Sequence, residues 1–324
     1  MVAVTATGGV AARGRGWQGA ASILEKIMSK PQSLTAEAWL LLVTLSLPWG
    51  GAFLLFRVLA ADLPTFTIVL GRTALAVPVL YALVRLRGGR MDIPWRAFLV
   101  MGLLNNVIPF ALFAWAETRV TSGLAAILNA ATPVMTVLVL AGFGVERLTA
   151  LRLAGIALAF AGVAVLIGPD AWTGSPDLFA ELACLLATVS YAFAALWSRR
   201  LQGIDPIKAA CGQLASSTLI LLPLAAIFDQ PWNLPMPAAR TWLALAVFAL
   251  VCTALAYVIF FRIVAIAGGG NVMLVTFLIP VSALAMGAVF LHEPITWMAL
   301  GGMGLIAAGL AAIDGRVIRM AGGR

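Results

Sequence analysis

Ten apolar stretches, each about as long as a bilayer's hydrocarbon core is thick, leave this chain few ways to fold. They run near residues 39–60, 64–85, 96–116, 121–143, 149–168, 178–199, 206–228, 241–262, 269–291 and 295–313. A helix needs roughly 20 apolar residues to cross about 30 Å of hydrocarbon. Connections between them are short. Charged residues make up 10% of the chain, against roughly a quarter in a soluble protein. No room is left for a water-facing domain, and the expected fold is an all-α membrane protein with ten transmembrane helices.

The second half of the chain repeats the first. A shift of 147 residues lays Pro133 on Pro280, Glu146 on Glu293 and Thr149 on Thr296. It also lays Gly123, Gly155 and Gly162 on Gly270, Gly302 and Gly309. A weaker register, 142 residues, lays Arg57 on Arg199, Pro64 on Pro206, Ser46 on Thr188 and Trp49 on Tyr191. Spans one and two thus match six and seven, and three to five match eight to ten. An odd number of spans per copy turns the second copy upside down. Inverted five-helix repeats of this kind build the two halves of many transporters, with the substrate between them near the midplane. The expected organisation is a tail over 1–36, a first repeat over 37–170, a second over 171–315 and a tail over 316–324.

A formal charge of +8 could signal nucleic acid, but its placement signals topology. With the N-terminus inside, seventeen of the 21 Lys and Arg fall on inside segments. The exceptions are Arg57, Arg119 and Arg240, together with Arg72 inside a span. The positive-inside bias expects both termini in the cytoplasm. A bacterial-type inner membrane is the expected location. The expected partners are the bilayer and a small-molecule substrate, with no nucleic acid and the oligomeric state left open.

Clusters that could carry chemistry are scarce. Cys184, Cys211 and Cys252 lie in separate spans without CxxC spacing and read as packing residues. His292-Glu293 opens like the zinc motif H-E-x-x-H, but Thr296 stands in place of its second histidine. With one histidine in the chain, no multi-histidine metal site can form. No catalytic residue, metal or cofactor is expected, nor an enzyme. Glu37, Glu117, Glu146, Glu181 and Glu293 fall at span ends, so a proton-titrating carboxylate inside the pathway, and with it obligatory proton coupling, is not expected.

The candidate site residues are polar or aromatic interruptions of apolar spans. A proline frees the carbonyl four residues earlier. For Pro133 that carbonyl belongs to Asn129, and for Pro280 to Thr276, at the same repeat position. Both prolines are therefore expected hinges, and the two side chains candidate cavity lining. Arg72 is the one charge near the middle of a span, and intramembrane charges default to functional hypotheses. It could pair with a substrate carboxylate or serve as a structural arginine; its repeat mate is Leu214. The remaining candidates are Ser46, Trp49, Asn105, Asn106, Phe110, Thr188, Tyr191, Thr253 and Tyr257. For each of them, substrate contact and helix-packing glue are both open. The small-residue spans around Gly155, Gly162, Gly302 and Gly309 read as scaffold or oligomer contacts. Glu146 and Glu293 are expected as helix-end residues, either bonding free amides at the start of the next span or standing as solvated loop acids.

Two five-span copies, each closing its fourth helix with a short acidic turn, resemble the drug/metabolite transporter superfamily, EamA type. The turns are Gly144-Val145-Glu146-Arg147-Leu148-Thr149 and Leu291-His292-Glu293-Pro294-Ile295-Thr296, with Pro48-Trp49-Gly50 in span one. Within it the chain looks most like the YddG-type exporters of aromatic and other amino acids. The resemblance covers about residues 37–315. It implies ten helices, inverted repeats, outward movement of metabolites, and a central cavity lined by spans one, three, four, six, eight and nine. Small four-span relatives use a glutamate in their first span; none stands between Leu41 and Leu59. The expected function is alternating-access export of amino acids with aromatic or apolar side chains. Export of a sugar, nucleotide-sugar or drug, or a scaffold or receptor role, are the alternatives.

Overall fold

A computed structural model describes residues 35–168 and 176–314. The expected tail over 316–324, all but the last two residues of the tail over 1–36, and the connection at 169–175 lie outside the described residues. Every regular element among the described residues is helical. We number the spans α1 Ala36–Leu59, α2 Thr65–Leu86, α3 Trp95–Ala116, α4 Ser122–Gly142, α5 Ala150–Ile167, α6 Asp177–Leu201, α7 Pro206–Asp229, α8 Ala239–Ala267, α9 Val275–Leu291 and α10 Trp297–Asp314. Nine are long and apolar enough to cross a membrane, and α9 falls just short at 17 residues.

The helix starts follow from local chemistry. A Ser, Thr or Asp before a helix accepts a hydrogen bond from an otherwise orphaned amide. Thr35 caps α1 through Ala38, Thr121 caps α4 through Leu124, and Asp205 caps α7 through Ile207 and Lys208. The repeat mates Thr149 and Thr296 cap α5 and α10 through Arg152 and Ala299. The acidic turns are helix exits. Gly144 leaves α4 with φ 69° and His292 leaves α9 with φ 55°, which gives His292 a backbone role.

Pairing of α5 with α10 displays the pseudo-two-fold symmetry directly. A Cβ on Gly155 would lie 2.6 Å from the Gly309 carbonyl oxygen, and one on Gly162 would lie 2.7 Å from that of Gly302. Gly302 and Gly309 are the mates of Gly155 and Gly162. Each glycine thus meets the mate of the other, the reciprocal pattern a two-fold axis imposes. Close backbone approach through small residues replaces hydrophobic driving force inside lipid. Helix α1 packs on α9 in the same manner. A Cβ on Gly50 would meet Ser282 Oγ, which donates to the Ser46 carbonyl at 2.7 Å.

Consecutive helices alternate direction, so the bundle has two ends. At the basic end, exposed ion pairs join Glu37 to Arg262 and Asp92 to Lys208, and Glu146 pairs with Arg152. At the opposite, acidic end, Asp229 accepts from the Thr67 amide and hydroxyl. There Asp62 also accepts from Thr241, and Glu293 binds the start of α4.

The helices are interrupted differently from expectation. Helix α4 breaks at Ala130–Ala131, and Pro133 opens its second segment. Helix α9 runs unbroken through Pro280; its interruption falls earlier, at Met273–Leu274 after a short helix Gly269–Val272. The Asn129 carbonyl is taken up by the Thr132 hydroxyl at 2.7 Å, whereas Thr276 turns its own hydroxyl to the Met273 carbonyl. The prolines share a repeat position without sharing a break.

Candidate functional site

Two π-helical turns at matched repeat positions organise the interior. One spans Leu103–Val107 in α3 and the other Leu250–Leu255 in α8. Such turns offset the hydrogen-bond ladder and occur mostly as single-turn bulges at functional sites. They present Asn105 and Asn106 in one copy and Thr253 in the other. Asn106 and Thr253 are repeat mates. Asn106, fully buried, donates to Ser217 on α7 at 2.9 Å. Thr253 donates to the Phe248 carbonyl at 3.0 Å and accepts from Arg72 Nε at 2.9 Å.

Arg72 is the centre of this arrangement. A Cβ on Gly71 would come within 2.7 Å of Leu245, so its absence lets α2 approach α8 and carries Arg72 to the π turn. The guanidinium carbon lies 3.8 Å from the Phe110 ring centroid, 4.3 Å from Phe248 and 5.4 Å from Phe56. Phe56 and Phe248 meet edge to face at 4.7 Å. Arg72 is 6% exposed. Among the described residues it enters no ion pair, and its only hydrogen bond is the one from Nε to Thr253. Its titratable neighbours are Tyr191, Cys252 and Tyr257, all neutral groups at physiological pH. Three ring faces solvate this cation, and no carboxylate among the described residues neutralises it.

An amide–phenol chain continues toward the basic end. Asn105 Nδ2 donates to Gln213 Oε1 at 3.1 Å, and Gln213 Nε2 donates to Tyr257 Oη at 2.8 Å. Tyr257 stacks with Phe261 at 6.0 Å, and Phe261, Phe260 and Trp49 follow in contact. On the other side Tyr191 of α6 stacks on Phe113 at 6.5 Å. Seven expected residues therefore gather here: Trp49, Arg72, Asn105, Phe110, Tyr191, Thr253 and Tyr257, with Asn106 beneath them.

Four expected residues stand apart. Ser46 turns its hydroxyl to the Val43 carbonyl and joins the α1–α9 contact. Thr188, fully buried, donates to the Leu185 carbonyl within its own helix. Asn129 is tied to Thr132 at the break in α4. Thr276 lines a void of about 10 Å³ between α4, α9 and α10, room for one water at most. The cluster also draws on α2 and α7, which are absent from the six spans implied by resemblance. Sequence reading missed Phe56, Phe248 and Gln213. Gln213 is visible as an amide inside an apolar run; the phenylalanines carry no such mark in this chain.

The acidic turns behave differently from expectation. Glu146 pairs with Arg152 at 2.8 Å. Glu293 does bind free helix amides, but those of α4 in the other repeat, not those of α10. Its Oε1 accepts from the Ser122 amide at 3.0 Å, and its Oε2 from the Ser122 hydroxyl at 2.7 Å and the Gly123 amide at 3.4 Å. Thr149 and Thr296 already satisfy the next helices.

With the arrangement in place, the chain can be set beside known proteins. The EamA-like transporter family model matches twice, over residues 36–168 and again over 178–313. The chain belongs to the EamA-like transporter family. This EamA-like transporter is 27% identical over 288 residues to the "Uncharacterized transporter YvbV" of Bacillus subtilis, covering 88% of this chain and 92% of that protein. It is 28% identical to a "Probable terminal-alkyne amino-acid exporter" of Streptantibioticus cattleyicolor, over 88% and 95% of the two chains. It is 29% identical to a "Probable amino-acid metabolite efflux pump" of Salmonella typhimurium, over 81% and 89%. A solved structure described as "Crystal structure of protein" shares the fold with a TM-score of 0.62 at 20% identity, over 86% of this chain and 97% of that one. The protein is thus a multi-pass membrane transporter built from two EamA repeats.

Proposed function

We propose that this EamA-like transporter exports amino acids with aromatic or apolar side chains by alternating access. The observation that carries the reading is Arg72, a buried cation without a counter-ion in the interior of the bundle. A charge in that position calls for an anion, and a substrate carboxylate supplies one. Guanidinium and carboxylate pair in a planar, two-bond geometry. The surrounding rings of Phe110, Phe248, Tyr191 and Tyr257 suit the apolar side chain, while Asn105, Gln213 and the Tyr257 hydroxyl suit the ammonium end.

In this reading the Phe56, Phe110 and Phe248 faces hold Arg72 between turnovers, and the carboxylate takes their place on loading. The breaks at Ala130–Ala131 and Met273–Leu274 are the flexing points, with Pro133 and Pro280 stiffening the segments that follow. The 17 Lys and Arg on alternate segments favour an inner-membrane orientation with both termini cytoplasmic. Among the described residues no carboxylate joins the Arg72 cluster, so transport does not require a proton gradient. A nucleotide-sugar would demand several cations, and Arg72 stands alone here.

Reconstitution into liposomes and uptake of a labelled amino-acid panel, with and without a pH gradient, tests this. Uptake of Phe, Leu or Met in both conditions is expected. Folded protein that moves no amino acid, but does move a sugar or a phosphorylated metabolite, would overturn it.

A further inference from the structure

Glu117 lies one residue beyond α3 at the acidic end, yet its side chain is fully buried. Neither carboxyl oxygen has a hydrogen-bond partner among the described residues. The nearby cation does not neutralise it, since Arg57 on α1 donates through Nη1 to the Glu117 backbone carbonyl. Arg57 is an opposing charge nearby, but it weighs less than the like charge of Glu293. Glu293 comes from the turn after α9, held in place by Ser122 and Gly123. On α6 the Cys184 thiol is a neighbour of both Glu117 and the buried Glu181. Arg119, two residues on, stacks over Trp115. A carboxylate sealed from water with no hydrogen-bond donor and a like charge beside it is costly, and the buried group neutralises instead.

We propose that Glu117 is a proton-binding site of the closed acidic end, occupied when α3, α4, α6 and α9 are packed together and emptied when that end opens to water. The proton is the ligand, and the Glu117–Glu293 pair couples its binding to closure. Burial first, and the like charge of Glu293 second, hold the Glu117 carboxyl well above the usual carboxylate range against the weaker opposing pull of Arg57. The closed state therefore keeps a proton that the open, solvated state releases. Closure is favoured most below the solvated glutamate value of about 4.3. That advantage is lost as pH rises through the elevated closed-state value, by up to about tenfold in the closed-to-open ratio per pH unit. Such a site tunes the rate of opening with pH without requiring a proton to accompany each substrate. It stands independently of which solute is carried.

Infrared spectroscopy of the reconstituted full-length protein tests the proton. At neutral pH the wild type is expected to show the carbonyl stretch of a buried protonated carboxylic acid, absent from Glu117→Gln. Glu293→Gln should move its titration midpoint downward, since the like charge is gone. No such band in folded wild type, or a band that survives Glu117→Gln, overturns the assignment. Should Glu117→Gln fail to fold, an unmoved midpoint in Glu293→Gln overturns it equally. Closure is read by labelling Cys184 with a membrane-impermeant maleimide, Cys211 and Cys252 being replaced by alanine. The wild-type rate divided by the Glu117→Gln rate at the same pH should climb several-fold as pH rises. A flat ratio would sever the proton from the closing movement.

Discussion

Arg72 shows what a single charge does in an apolar interior. Its one hydrogen bond and three ring faces keep it in place but leave its charge unmatched. Charge-assisted hydrogen bonds contribute about 1.5–3 kcal/mol each, so Arg72→Gln is expected to weaken substrate affinity by roughly ten- to a hundredfold. Arg72→Lys should recover only part of this, because an ammonium lacks the planar fork. Flux measured at several substrate concentrations, with a size-exclusion profile to verify folding, checks both variants. Equal flux in all three proteins would make Arg72 structural. Tyr257→Phe leaves the ring stacked on Phe261 but strands Gln213 Nε2; flux should fall several-fold with folded yield unchanged, as flux and yield measured side by side will show. Arg72, Tyr257 and Thr253 are legible in sequence because a polar group inside an apolar span is conspicuous. Phe56 and Phe248 are not: where most residues are hydrophobic, a ring that faces a cation reads like one that faces lipid.

Among the elements, matched glycines and matched π turns carry the architecture. Gly155 and Gly309 touch backbone to backbone, and a carbonyl cannot swing aside as a side chain can. Gly155→Leu or Gly309→Leu should therefore destabilise the α5–α10 pair by about 1–3 kcal/mol, the usual cost of overpacking. Gly304, with open space around it, should accept alanine without loss. Thermal unfolding in detergent separates the two classes; equal midpoints for Gly155→Leu and Gly304→Ala would contradict the close contact. The 147-residue register is enough to expect these glycines to pack. It does not reveal that α3 and α8 widen into π turns, since that depends on how Asn105, Asn106 and Thr253 settle against their neighbours. Likewise the paired prolines suggest matched breaks, whereas α4 breaks before Pro133 and α9 does not break at Pro280. Proline removes one hydrogen bond; packing decides whether the helix parts there.

For the whole molecule, the two ends are held together unequally. The acidic end is joined by Asp229, Asp62 and Glu293, each bonding groups on the other repeat. At the basic end the charged contacts are the exposed pairs Glu37–Arg262 and Asp92–Lys208, which contribute about 0–1 kcal/mol each, beside one hydrogen bond from Trp197 to the Ala97 carbonyl and the packing of Ile93 and Phe98 on Leu201. The resting protein should thus open more readily at its basic end. Glu293→Ala, which frees the start of α4, should shift it toward opening at the acidic end. Impermeant thiol labelling of Cys184, with Cys211 and Cys252 replaced by alanine, should then rise several-fold over the otherwise identical protein with Glu293 intact. Unchanged labelling would mean that Glu293 does not hold that end. The ten-helix plan and the repeat follow from hydropathy and register alone. The inequality of the ends does not, because it depends on which acid reaches across to which amide.

The most direct measurement sets phenylalanine against its decarboxylated amine as competitors for uptake into liposomes bearing wild-type protein and Arg72→Gln. Amino-acid transport anchored on Arg72 predicts that phenylalanine competes at least about tenfold better than the amine in wild type, and that this preference collapses in the variant. Equal competition by the two compounds in wild type, or a preference untouched by Arg72→Gln, would contradict it.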